Sequence, residues 1–192
     1  MDNFHDLVLK TRSYRRFNTK EGISEDDLKS FVDLARNSAS GANVQPLKYI
    51  ISAESAKNEK IFHTLKWAGY LPDWDGPRED ERPAAYIILL GDSSIKSGFG
   101  HDPGIAAQTI MLGAVEQGYG GCIFGSIDRG KLKQNLGIPD QYEILLVLAL
   151  GKPVEQVVLE TCGPDGDIKY YRDADSFHHV PKRRLQDIIL DI

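Results

Sequence analysis

Residues 102–126 read DPGIAAQTIMLGAVEQGYGGCIFGS, an apolar helix running into a glycine-rich strand, and the rest of the chain is read outward from this pair. Asp102 offers a carboxylate to the orphan N–H groups of a helix start, and Pro103 loses no intrahelical bond there. Ile105, Ala106, Ala107, Ile110, Met111, Leu112, Ala114 and Val115 put apolar groups nearly all round the cylinder, which predicts a helix buried on most sides. It is too short, and too interrupted by Gln108, Thr109 and Glu116, to cross a bilayer, which takes roughly 20 apolar residues. Gly118 ends it. Gly120, Gly121 and Gly125 flank Cys122, Ile123 and Phe124, and glycine lets such a strand lie close to something flat or charged. A buried helix, a tight turn and a core strand account for the same residues without a ligand.

On the N-terminal side, Phe4, Leu7 and Val8 share one face of a short helix, which leads into Arg12-Ser13-Tyr14-Arg15-Arg16-Phe17. Guanidinium forks match phosphate oxygens and a serine hydroxyl adds a neutral donor, so this cluster reads either as an anion site or as a solvated turn. Ser24 and Asp27 form a capping box before Leu28, Phe31, Val32 and Ala35, whose spacing is helical. A small, polar stretch from Asn37 to Pro46 follows, and Leu47 to Ile51 reads as a strand. Further elements are a helix from Ser55 to about Trp67, a loop-like stretch over 69–83 and a buried strand from Ala84 to Leu90. Around the start of that loop, Trp67, Tyr70 and Trp74 form either a lid or a satellite core.

On the C-terminal side, Leu132 and Leu136 mark a short helix closed by Gly137, and Ile144 to Leu150 reads as the middle strand of the sheet. Residues 154–178 look loop-rich. Leu185, Ile188, Ile189 and Ile192 recur at helical spacing at the end.

Composition narrows the function. With 41% hydrophobic and 27% charged residues over 192 positions the chain is an ordinary globular protein, read as one domain over 1–192. A net charge of −5 argues against a broad nucleic-acid footprint. Two cysteines make no disulfide framework or metal finger, and no apolar run resembles a signal peptide or membrane span, so the expected location is cytoplasmic. Cys122 reads as a small buried hydrophobe.

Gly125 to Lys131 spells GSIDRGK, near a phosphate loop, but Leu132 stands where a hydroxyl should hold magnesium. A phosphate-loop nucleotidase therefore stays a remote alternative. Ile123 takes the place of the third glycine of a dinucleotide fingerprint. His178 and His179 are adjacent and would face opposite ways on a strand, so no metal site is expected.

Basic clusters at both ends, a small polar loop and a glycine-lined strand suit a ligand with a phosphate tail and a flat head. In these features the chain resembles the nitroreductase family of FMN enzymes. Arg12-Ser13-Tyr14-Arg15-Arg16-Phe17 is similar to the family's R-S-x-R-x-F signature. Ser40-Gly41-Ala42-Asn43-Val44-Gln45-Pro46 is similar to its S-x-x-N-x-Q-P loop, Gly104 to Gly125 to its central helix and strand, and Pro181-Lys182-Arg183-Arg184 to its P-K-x-R segment. Thr11 and Leu47 depart from the pattern, standing where many members have a basic residue and a tryptophan.

The resemblance implies an α+β fold with a central mixed, mainly antiparallel sheet flanked by helices, in a homodimer with FMN at the interface. It implies hydride transfer from NAD(P)H through flavin to an electron-poor acceptor such as a nitroaromatic or quinone, by a ping-pong mechanism and without a catalytic side chain. A flavin-binding store or sensor that does not turn over is the alternative. By the same resemblance Lys182 and Arg184 hold the phosphate, and Arg12, Ser13 and Arg15 span phosphate and pyrimidine edge. Ala39, Ser40, Gly41 and Asn43 reach the flavin from the other subunit, and Phe124 and Gly125 lie beside the ring.

Overall fold

A computed structural model of the chain describes residues 3–192. Its centre is a four-stranded sheet of β1 (Leu47–Ser52), β2 (Ala85–Asp92), β3 (Gly120–Phe124) and β4 (Tyr142–Gly151), in spatial order β1-β2-β4-β3. Every pairing within it is antiparallel. All eight residues of β2 are buried, as a continuous apolar run demands when both sheet faces are covered. Alternation sends Ile87 and Leu89 to one face and Tyr86, Ile88 and Leu90 to the other, into two separate apolar clusters.

The first cluster is closed by α2 (Glu25–Arg36) and α4 (Asp102–Glu116), through Leu28, Phe31, Ala106, Ile110 and Met111. Ile61 of α3 (Ser55–Phe62) and Leu132 of α5 (Arg129–Leu136) close the second. The remaining helix, α1 (Phe4–Lys10), buries none of its residues. A smaller sheet follows, with β5 (Val157–Thr161) parallel to β7 (His178–Lys182) and β6 (Tyr171–Arg172) antiparallel to it. Within the central sheet parallel pairing is limited to an isolated bridge between Ser13 and Gly121 of β3, and the stretch 154–178, expected to be loop-rich, supplies two strands.

Three expectations need correction. The helix begun at Ser55 ends at Phe62 rather than near Trp67. There Thr64 Oγ1 turns back to the Ile61 carbonyl at 2.7 Å, while Lys66 N–H donates to Ser126 O and Asp128 N–H to Thr64 O, so the chain trades helix for pairing with the segment after β3. The terminal apolar stripe forms only a 3-10 turn over Leu185–Asp187. Leu185, Ile188, Ile189 and Leu190 are 60–75% exposed, and so short a helix has little stability without a surface to pack on. Finally, the Asp102 carboxylate does not cap its own helix. It accepts from Ser40 Oγ at 2.6 Å and Gly41 N–H at 3.0 Å. Among the described residues, no helix is long and apolar enough to cross a membrane and no cluster of three or more His, Cys, Asp or Glu residues could hold a metal.

Candidate functional site

After α1, residues 11–17 run as an extended arm along the end of the sheet. Thr11 Oγ1 closes the helix by donating to Leu7 O at 2.8 Å. Tyr14 N–H then donates to Gly121 O at 2.8 Å, and Phe17 bridges Pro153. The two glycines of β3 admit close neighbours on different sides, Gly120 this arm and Gly121 the adjacent strand β4. A Cβ on Gly120 would stand 2.6 Å from Tyr14 and Pro153 atoms, and one on Gly121 would stand 2.4 Å from the Ala149 carbonyl oxygen. What lies close to the glycine strand within the chain is thus its own N-terminal arm. Gly125, just beyond, has open space above it.

The arm forms one wall of a cavity of about 310 Å³. Thr11, Arg12, Ser13 and Arg15 line it from the arm, Gln108 and Met111 from α4, and Ile123 from β3. On the opposite wall, β7 presents His178, Val180 and Lys182, the alternate residues of one strand face. Tyr170 completes the lining. The two basic clusters, 170 positions apart in the sequence from Arg12 to Lys182, therefore meet.

The charge here is uncompensated. Arg12 Nη2 donates to Val8 O at 2.7 Å, and Arg15 Nη1 donates to Ser13 O and to His178 Nε2, each at 3.2 Å. Among the described residues, Arg12, Arg15 and Lys182 form no ion pair. Burial draws the Arg12 guanidinium below its ordinary pKa, and burial with the fields of Arg15 and Arg172 brings His178 down to about 4, so the imidazole is neutral near pH 7. Cations gathered in a cavity whose lining holds no carboxylate suit an anionic ligand.

A buried carboxylate braces the site from behind. Glu155, its side chain fully enclosed, accepts from the Arg15 and Arg16 backbone N–H groups and from Arg172 Nη2 at 3.2 Å. Arg172 in turn stands 4.2 Å from the centre of the Trp74 ring. Trp74 meets Trp67, which packs against Phe124 at 4.7 Å and Phe62 at 5.5 Å, a satellite core beside the second cluster.

The residues read from the sequence as cofactor contacts separate into groups. Arg12, Ser13, Arg15 and Lys182 share the cavity. Ala39 and Ser40 line a smaller cleft, of about 150 Å³, with Tyr49 and Asp102. Gly41 and Asn43 stand exposed on the same loop, where Ala42, Asn43 and Gln45 all have positive φ. Such backbone is costly for residues with a Cβ and is held here by the bonds to Asp102 and by Gln45 N–H to Ser40 Oγ at 2.9 Å. Phe124 turns inward to the second cluster, away from Ile123 and Gly125. Arg184 lies past the end of β7, paired with Asp187 by two bonds of 2.9 Å. Not foreseen were Thr11, Gln108, Met111, Ile123, Tyr170, His178 and Val180. Alternation with Lys182 along one strand was the available signal for two of them, His178 and Val180.

The near-match to a phosphate loop is folded otherwise. Asp128 caps α5 by accepting from Lys131 N–H at 3.0 Å, where an anion would have to sit, and Arg129 is spent on the carbonyls of Ile144 and Leu145.

The model of the nitroreductase family matches residues 8–152. The chain belongs to the nitroreductase family. The match takes in the arm, the Ser40 loop and the central helix and strand, and stops before the small sheet that carries Lys182. Among curated relatives, a Bacillus subtilis (strain 168) protein provisionally named NAD(P)H nitroreductase MhqN is 22% identical over 184 residues, covering 79% of this chain and 89% of its own. Solved nitroreductase-family structures share the fold. That of a Streptococcus pneumoniae TIGR4 family protein has a TM-score of 0.69 at 18% identity, covering 88% of this chain and 100% of that one. A provisionally named nitroreductase of Exiguobacterium sibiricum 255-15, crystallised with FMN, has a TM-score of 0.67 at 18% identity, covering 81% and 90%.

Proposed function

We propose that this nitroreductase-family chain is an FMN-dependent NAD(P)H oxidoreductase that reduces an electron-poor acceptor, a nitroaromatic, quinone or similar compound, and works as a homodimer. The observation that carries this reading is the unpaired cation set of Arg12, Arg15 and Lys182 around one cavity. Those residues fit a phosphorylated cofactor. FMN, when bound, supplies the relay of hydride from NAD(P)H to the acceptor in two half-reactions. Lys182 and Arg12 hold its phosphate, with Ser13 donating between them, and Arg15 contributes charge from the inner wall. Ile123 and the open backbone at Gly125 leave room for a flat ring. The Ser40–Gln45 loop serves the site of the other subunit, and Arg184 joins a phosphate only if the tail beyond β7 gives up its pair with Asp187.

Dimerisation is supported by what the single chain leaves bare. Phe4, Val8 and Leu9 of α1, Ile105 of α4 and Leu185, Ile188, Ile189 and Leu190 of the tail are each exposed, apolar surface of the kind that a second subunit would cover.

The test is direct. FMN titrated into the purified protein is expected to bind, and the yellow complex to bleach anaerobically with NADH or NADPH and recover on adding a quinone. Binding without bleaching rejects turnover and leaves a flavin store, and a protein that takes up no FMN rejects the reading as a whole. Lys182→Ala is expected to weaken FMN by about 1.5 kcal/mol or more, the worth of one charge-assisted bond; unchanged affinity would misplace the phosphate.

A further inference from the structure

Arg15 is the most enclosed cation of the cavity, 9% exposed, and its guanidinium touches no carboxylate. Its Cζ stands 4.7 Å from the centre of the Tyr170 ring, and Nη1 donates to Ser13 O and His178 Nε2. A carboxylate is close by, since Glu155 accepts from the Arg15 backbone N–H, but its remaining oxygen is taken by Arg172. The fold thus buries a counter-ion beside Arg15 and turns it elsewhere, while the head of Arg15 receives an imidazole. Because guanidinium only donates, His178 Nε2 must accept, which places the ring proton on Nδ1. That Nδ1 is buried without a partner, an arrangement that packing alone gives no reason to keep.

We propose that His178 is a positioning residue for cofactor binding: as an uncharged acceptor it aims the Arg15 guanidinium into the cavity and leaves its positive charge whole for an anionic part of the ligand. A carboxylate in the same place would hold Arg15 equally well and cancel what it offers. Burial and the charges of Arg15 and Arg172 keep the ring neutral down to about pH 4. His178 lies outside the span matched by the family model. The inference rests on the FMN reading of the cavity and adds to it the residue that preserves the site's charge.

His178→Glu and His178→Gln are nearly equal in size and differ by one charge, so they separate charge from shape. FMN affinity and the thermal midpoint of the flavin-free protein are measured for both and for the wild type. His178→Gln is expected to bind FMN within about threefold of the wild type, and His178→Glu at least about tenfold more weakly. The thermal midpoint of the Glu variant should be no lower than that of Gln, because a buried cation gains a partner. His178→Ala, which removes the acceptor without adding charge, should weaken FMN on the wild-type background and cost no further affinity on an Arg15→Ala background, because a positioning residue acts only through the group it positions. Equal affinity of the two variants, or loss of midpoint and affinity together in both, overturns the proposal while leaving the FMN reading intact. A wild type that takes up no FMN overturns both.

Discussion

Helices α2 and α4 pack against each other on the same face of the sheet, yet they meet the demand for burial in opposite ways. α2 turns Leu28, Phe31 and Ala35 inward and keeps Glu25, Asp26, Lys29, Asp33 and Arg36 in water. α4 is apolar nearly all round, but its own chain covers one side only, that of Ala106, Ala107, Ile110, Met111 and Ala114. Ile105 remains 39% exposed and Gln108 faces the cavity. Their starts differ too. α2 is capped from within by Ser24 and Asp27 in reciprocal bonds of 3.0 and 3.2 Å, whereas α4 sends its first carboxylate across to the Ser40–Gly41 loop. α2 is complete as a local object. α4 is a shared one, committed to the core on one side and to the cavity, and to a proposed second subunit, on the other.

The largest expected effect comes where the two helices agree. Phe31→Ala opens a void between them and should cost about 3–5 kcal/mol in denaturant unfolding, in monomer or dimer alike. The second separates them. Ile105→Glu places a charge on the uncovered side of α4 and, because a two-fold interface meets each change twice, should weaken self-association by about 3 kcal/mol or more; sedimentation showing an unchanged oligomer would mean that this side of α4 is not the seam.

Asp102→Ala addresses the start of α4. Loss of its two bonds should cost about 2 kcal/mol and speed amide exchange at Gly41, with helix α4 itself unaffected. The bonds from the Ser40 hydroxyl and the Gly41 amide hold the Asp102 carboxyl below its ordinary pKa. Its stabilisation is therefore present above the unfolded value and lost as pH falls through the lower folded one, so wild-type and variant stabilities should converge in strong acid. Ser24→Ala, at the start of α2, should cost only about 1 kcal/mol and leave FMN affinity unchanged. If it alters FMN binding, α2 is not the self-contained helix that the comparison makes it.

Much of the fold could be read because its causes are local. The capping box at Ser24, the spacing of Leu28, Phe31 and Ala35, the apolar run of β2 and the stop at Gly137 each act within a few residues, and the structure has each where the pattern put it. Readings that failed were those in which a local preference lost to a distant partner. Residues 63–67 left their helix to pair beside Ser126, and the final stripe stayed without a helix for want of a surface.

The family motifs brought Arg12, Ser13, Arg15 and Lys182 to notice as chemistry, since the donors that suit a phosphate are few and their spacing along a strand or arm is short-range. The resemblance implied that they meet, but the means of their meeting was not legible. It depends on a glycine at 120 that admits the arm, on β7 choosing β5 as its parallel neighbour, and on Glu155 bracing the arm and Arg172 from behind. The sequence by itself determined which residues carry charge, which faces are apolar and where helices begin, because those follow from side-chain chemistry and backbone propensity over a turn or two. Only the tertiary structure decided that Asp102 serves a loop and not its helix, that Phe124 points away from the cavity, and that Arg15 is held by a neutral imidazole. Each is a competition among partners far apart in the chain, settled by which of them the packing brings within reach.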